Sequence, residues 1–146
     1  MKMEVAAFLE LFIRELEVNG ELRGYYKLLE NKQRYLWRKS YLEQRISYIN
    51  RSLEAKPARV WDAGCGYGTT ALFLALNGHE VVGNTLEFYY DKIGRRLDFW
   101  SRYGDVSGFR VEYANLFDMQ VVPQSFDSVI AQDTLHHLEP IGDALS

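Results

Sequence analysis

Apolar residues Val5, Phe8, Leu9, Phe12, Ile13 and Leu16 recur three and four positions apart. This spacing predicts an amphipathic helix over 5–18, with Asn19-Gly20 as its stop. A second helical region is predicted over 21–53, with a break near Ser40 and an end before Pro57. Beyond Lys56-Pro57-Ala58-Arg59 the pattern changes. Short apolar runs at 60–62, 80–83, 109–113 and 126–132 read as strands, separated by helical stretches at 69–77 and 87–102, the latter closed by Gly104. The stretch Ala71-Leu72-Phe73-Leu74-Ala75-Leu76 is apolar nearly all round, so that helix should be buried. His79, in the turn after it, reads as a surface residue. Strands alternating with helices predict an α/β fold built on a doubly wound parallel sheet, with ligand at the carboxyl ends of the strands. The N-terminal helices over 1–57 read as a cap and 58–146 as the ligand-binding domain.

Composition narrows the class without deciding it. A chain of 146 residues, 47% hydrophobic and 25% charged, is the size and character of one globular domain with a real core. A net charge of −3 argues against non-specific nucleic-acid binding by the molecule as a whole. One cysteine excludes an intramolecular disulfide framework and a Cys-rich zinc site, and no metal site is expected. Met-Lys-Met-Glu and Glu10 interrupt any leader-like apolar run, and no stretch approaches the length of a membrane span, so the cytoplasm is the expected compartment and no membrane partner is expected.

The second helical region is locally basic. Arg23, Lys27, Lys32, Arg34, Arg38, Lys39, Arg45 and Arg51 stand against only Glu21, Glu30 and Glu43, interleaved with Tyr25, Tyr26, Tyr35, Trp37, Tyr41 and Tyr48. The expected arrangement is core aromatics on one face and a solvated basic face on the other, which makes nucleic acid an unexpected partner. Two alternatives stand beside it: a stacking and phosphate-binding surface for RNA, and a pocket for a flat or apolar small substrate.

The strand at 60–62 runs into Asp62-Ala63-Gly64-Cys65-Gly66-Tyr67-Gly68, with glycine at every second position, and a helix opens at Thr69-Thr70. Residues without a Cβ let the backbone lie against a ligand, and a helix N-terminus offers unpaired N–H groups. The dinucleotide fingerprint G-x-G-x-x-G fails here, because its third glycine falls on Thr69. Asp62 ahead of the first glycine would repel a pyrophosphate and suits a ligand bearing a cationic amino group. Cys65 fits this loop as a small packing residue rather than a nucleophile.

D-x-G-x-G-x-G at a strand end resembles motif I of the class I S-adenosylmethionine-dependent methyltransferases, whose fold is Rossmann-like. The resemblance continues along the chain. Val81-Val82-Gly83-Asn84-Thr85-Leu86-Glu87 is similar to V-x-G-x-T-L-S of some small-molecule and fatty-acyl members. The ribose-binding acid of the family falls on Thr85, which can make only a single neutral bond, and Glu87 is the carboxylate within reach. Ala114-Asn115-Leu116 resembles the adenine-binding segment, with the Asn115 side chain and the Leu116 N–H as its contacts. Phe126-Asp127-Ser128-Val129-Ile130, followed by Leu135-His136-His137-Leu138, resembles the branch acting on quinones, sterols and other small metabolites. Gln132 would face the methionine part of the cofactor. Adjacent histidines on a helix point about 100° apart, so they cannot chelate one metal from the same face. One of the pair is a candidate general base, with His137 the catalytic candidate carried forward, and the other is structural.

The resemblance implies S-adenosylmethionine as cofactor, held by Asp62, Gly64, Cys65, Gly66, Gly68, Thr85, Glu87, Asn115, Leu116 and Gln132. It implies transfer of a methyl group to a small-molecule acceptor. Alternatives are an RNA methyltransferase using the basic aromatic helices, and a non-catalytic cofactor-binding or regulatory module, to which Thr85 points. The family's sheet order is 3-2-1-4-5-7-6, and this sequence reaches Ser146 in the helix after its fourth strand. A C-terminally incomplete domain is therefore expected, with a fourth-strand edge through which the chain would form homo-oligomers.

Overall fold

The computed structural model describes residues 3–26, 29, 32–53, 57–85, 87–113 and 126–130. The chain divides into two compact units, Met1–Glu54 and Ala55–Ser146.

The first unit holds α1 (Val5–Val18), α2 (Gly20–Tyr26) and α3 (Lys32–Ser52). Phe8, Leu9, Phe12 and Leu16 of α1 are buried, as their spacing requires. Asn19-Gly20 ends α1 and at once starts α2: the Asn19 side-chain oxygen accepts the Leu22 N–H at 3.3 Å and its carbonyl accepts the Arg23 N–H at 3.0 Å. A residue that stops one helix thus caps the next. The predicted break near Ser40 is wrong. Ser40 lies inside α3, and among the described residues of the region it is Leu29 that is not helical. An exposed serine costs a helix only a few tenths of a kcal/mol, too little to break one anchored by buried Ile46 and Ile49. The aromatic residues of α3 are also placed differently from expectation, because Trp37, Tyr41 and Tyr48 are exposed.

The second unit is built on four parallel strands in the order β3-β2-β1-β4: β1 (Arg59–Asp62), β2 (Glu80–Thr85), β3 (Phe109–Tyr113) and β4 (Ser128–Ile130). α4 (Thr69–Leu76) joins β1 to β2, and α5 (Glu87–Trp100) lies between β2 and β3. This is the doubly wound arrangement that the alternation of strands and helices predicts, with β1 at its centre. In α4 every residue but Thr70 is buried, which explains a sequence with no polar stripe. The register sets Asp62 beside Gly83 on one side and Ile130 on the other, so β2 and β4 flank the close of β1 and β2 runs two residues beyond it. The Phe126-Asp127 pair fixes the β4 side: the Asp127 carboxylate accepts the Arg59 N–H at 2.8 Å while the Asp127 N–H donates to the Arg59 carbonyl at 2.7 Å.

His79 is not on the surface. It is buried, and its Nδ1 accepts the Ala58 N–H at 3.0 Å, which ties the entry of β1 to the entry of β2 and leaves the ring proton on Nε2.

Candidate cofactor site

Leaving β1, the backbone turns through Gly64, Gly66 and Gly68 with φ of 68°, 57° and 80°. All three lie in the left-handed region, where a Cβ crowds the following carbonyl, so alternate glycines are what this loop needs. Gly68 is the N-cap of α4, its carbonyl accepting the Leu72 N–H at 2.8 Å. A Cβ built on Gly68 would stand 2.8 Å from the Phe109 ring. One built on Gly66 would meet nothing within 4 Å among the described residues. The first of these two glycines is demanded by packing as well as by conformation, whereas the second faces open space at the centre of the loop.

The neighbouring strand holds this loop in shape. The Asn84 side-chain oxygen accepts the Gly64 N–H at 2.8 Å and the Trp61 indole N–H at 3.3 Å, and its carbonyl accepts the Cys65 N–H at 2.8 Å. The Thr85 hydroxyl donates to the Gly66 carbonyl at 3.1 Å. β2 can come this close because Gly83 has no side chain: a Cβ there would lie 2.7 Å from the Cys65 sulfur. On the exit side, Arg96 of α5 is fully buried and donates from Nη1 to the Tyr67 carbonyl at 3.0 Å and to the Thr69 hydroxyl at 2.7 Å.

Electrostatics assign Cys65 a passive role. Burial pushes its thiol well above the ordinary value of 9.0, and the Asp62 carboxylate beside it pushes the same way. The thiol is therefore protonated at neutral pH, as the packing reading expects, and is no nucleophile.

Asp62, Gly64, Cys65, Gly66, Gly68 and Thr85 come together at the ends of β1 and β2. Glu87 is the first residue of α5, and its side chain lies outside the described residues. Asn115, Leu116, Gln132, His136 and His137 also lie outside them. Three contributors are not foreseen from sequence. Asn84 carries a weak signal, a polar residue closing an apolar strand. Gly83 is the fixed glycine of the segment similar to V-x-G-x-T-L-S, which does not say what it approaches, and Arg96 carries none, since a buried guanidinium depends on tertiary packing. Among the described residues no group of His, Cys, Asp and Glu side chains is arranged to hold a metal ion.

S-adenosylmethionine fits the chemistry of this loop. It has an ammonium for a buried carboxylate such as Asp62, and a polar methionine chain for a backbone that carries no side chain at Gly66.

Comparisons with known proteins agree. A family model described as "Methyltransferase domain" matches residues 61–146, more than half of the chain. An uncharacterised protein of Synechococcus sp. (strain ATCC 27144 / PCC 6301 / SAUG 1402/1) is 25% identical over 105 residues, which is 72% of this chain and 25% of that protein. Among solved structures, magnesium protoporphyrin IX methyltransferase from Synechocystis PCC 6803 with bound SAH is similar, with a TM-score of 0.63 and 20% identity over 93% of this chain and 64% of that one. The YcgJ protein from Bacillus subtilis gives a TM-score of 0.60 and 20% identity over 68% of this chain and 42% of that one. The chain thus spans about a quarter of the curated relative and roughly half of these structures. The glycine loop at the head of a 3-2-1-4 parallel sheet and the matched model together establish that the chain belongs to the methyltransferase domain family, whose cofactor is S-adenosylmethionine.

Proposed function

We propose that this chain forms the cofactor half of an S-adenosylmethionine-dependent methyltransferase acting on a small-molecule acceptor. The observation that carries the reading is the loop itself, a positive-φ glycine at Gly66 that faces open space among the described residues, four positions after buried Asp62. Asp62 would hold the ammonium, and the backbone from Gly64 to Gly68 would lie along the methionine chain. Bound there, S-adenosylmethionine supplies a methyl group on a sulfonium, already activated for displacement. The residues of this chain then serve alignment: Asn84, Thr85 and Arg96 hold the loop in one shape, so that the methyl is presented along a fixed line. The small-molecule acceptor rests on the resemblance of Leu135-His136-His137-Leu138, with His137 as the candidate base.

A second reading, a module that binds the cofactor without turnover, draws on Thr85. Its hydroxyl donates to a loop carbonyl, and it brings no carboxylate to the place where the family binds ribose. Calorimetric titration with S-adenosylmethionine and its demethylated product, S-adenosylhomocysteine, with NAD as control, tests the cofactor site. Saturable binding of the first two and none of NAD supports it. A folded sample that binds neither removes both readings.

A further inference from the structure

The buried and exposed faces of α3 are distinct. At 100° per residue, Leu42, Ile46 and Ile49 fall on one side of the helix axis, and Trp37, Tyr41 and Tyr48 lie within about 40° of each other, about 130° round from them. Ile46 and Ile49 are buried, whereas Trp37 is 69% exposed, Tyr48 67% and Tyr41 48%. Three large aromatic side chains facing water in one row are more than scattered surface hydrophobics.

The row is also internally ordered. Trp37 and Tyr41 stack with ring centroids 6.2 Å apart and planes within 14°. The Arg45 guanidinium lies over the Tyr41 ring at 5.3 Å. A parallel aromatic pair with a cation on it is thus displayed, and exposed Tyr48 continues the row about two turns further on. Its charge is one-sided: α3 carries Lys32, Arg34, Arg38, Lys39, Arg45 and Arg51 against Glu43 alone. The rest of the chain must then be acidic, since the whole molecule has a net charge of −3, so the positive field is concentrated on this helix.

We infer that the exposed face of α3 is a docking surface for single-stranded RNA. The partner must offer flat rings to Trp37, Tyr41 and Tyr48 and regularly spaced negative charge to Arg45 and Arg51. Unpaired RNA offers both, its bases free to stack and its phosphates flanking them. A duplex hides its base faces, and an acidic peptide brings charge without a series of rings. None of these residues belongs to the glycine loop, and the inference does not rest on the cofactor reading.

The test uses the whole chain and a fluorescein-labelled oligouridine of about twelve nucleotides, a length within the range such platforms cover. Anisotropy should rise saturably at about 50 mM salt and fall off by about 200 mM. Trp100 is buried and Trp61 half-buried, so quenching on RNA addition should come mainly from Trp37. The triple variant Trp37→Ala, Tyr41→Ala, Tyr48→Ala alters only exposed side chains. It should weaken binding at least tenfold while leaving the circular dichroism and S-adenosylhomocysteine titration unchanged. Arg45→Ala with Arg51→Ala should lower the slope of log affinity against log salt by about 0.7 for each phosphate that is no longer neutralised. No anisotropy change at low salt overturns the inference. So does binding that the triple variant leaves intact, and so does a Trp37 response to anionic phosphatidylserine vesicles without one to RNA. Since the cofactor titration is run on the same samples, loss of one function is separable from loss of the other.

Discussion

The Asn84 side-chain oxygen accepts the Gly64 N–H at 2.8 Å, and with it the end of β2 fastens the first turn of the glycine loop at the end of β1. The same oxygen takes the Trp61 indole N–H at 3.3 Å. Asn84→Ala removes the acceptor from both donors. It is expected to cost about 1–3 kcal/mol, towards the lower end because Gly64 is only half-buried. Trp61→Phe removes the longer bond and trims a half-buried ring beside Phe126, but Asn84 keeps its bond to Gly64, so it should cost less. Urea denaturation of the two variants checks the order, and an Asn84→Ala protein as stable as wild type would show that the loop is held by other contacts.

Much of the fold and half of the site are legible in the sequence because their causes are local. The 3.6-residue spacing of Phe8, Leu9, Phe12 and Leu16 dictates α1, and alternate glycines after Asp62 permit a left-handed loop that other residues would resist. Thr85 falls at the strand end expected of it because β2 simply continues to it. Features that do not show in the sequence are tertiary. Ser40 looks like a helix break only until the burial of Ile46 and Ile49 is set against its small propensity cost, and His79 looks like a surface turn residue until the Ala58 N–H meets it. Arg96 resembles any helical arginine, and nothing near it in sequence announces that α5 aims it at Tyr67 and Thr69, 29 and 27 residues away.

Gly66 and Gly68 should respond differently to the same methyl group. Gly66→Ala meets no neighbour within 4 Å among the described residues, so its cost is the conformational one, about 1–2 kcal/mol for an L-residue in the left-handed region. The domain should stay folded, with the added methyl in the space where the methionine chain would lie. A tenfold or greater loss of S-adenosylhomocysteine affinity by calorimetry is expected. Gly68→Ala adds a 2.8 Å clash with the Phe109 ring and should lose more stability than Gly66→Ala. Unchanged affinity in a folded Gly66→Ala protein would place the cofactor elsewhere.

Arg96 links α5 to the far end of the loop through two bonds from one nitrogen, and it is fully buried. Bonds to a charged donor are worth about 1.5–3 kcal/mol each. Arg96→Met, which keeps the bulk and deletes the donors, should destabilise by at least that much and speed amide exchange at the start of α4. Arg96→Lys retains the charge but lacks the planar fork, so it should restore only part of the loss. Equal exchange rates in Arg96→Met and wild type would mean that the helix start does not depend on this bond.

Cys65 provides a pH signature. Its thiol is raised above 9.0 in the folded chain, mainly by burial and further by Asp62, whereas in the unfolded chain it titrates at its ordinary value. Below 9.0 both states keep the proton and this contribution to stability is fully present. As pH climbs past that value the unfolded thiol ionises and the folded one does not, so the unfolded state is favoured by up to about 1.4 kcal/mol per pH unit. Stability measured by denaturant titration across the alkaline range should therefore fall more steeply in wild type than in Cys65→Ala, with the two curves parallel at neutral pH. Alkylation by iodoacetamide at neutral pH should likewise be slow in the folded chain and rapid after denaturation. Fast labelling of the native protein would show an accessible thiolate and overturn the passive role assigned to this side chain.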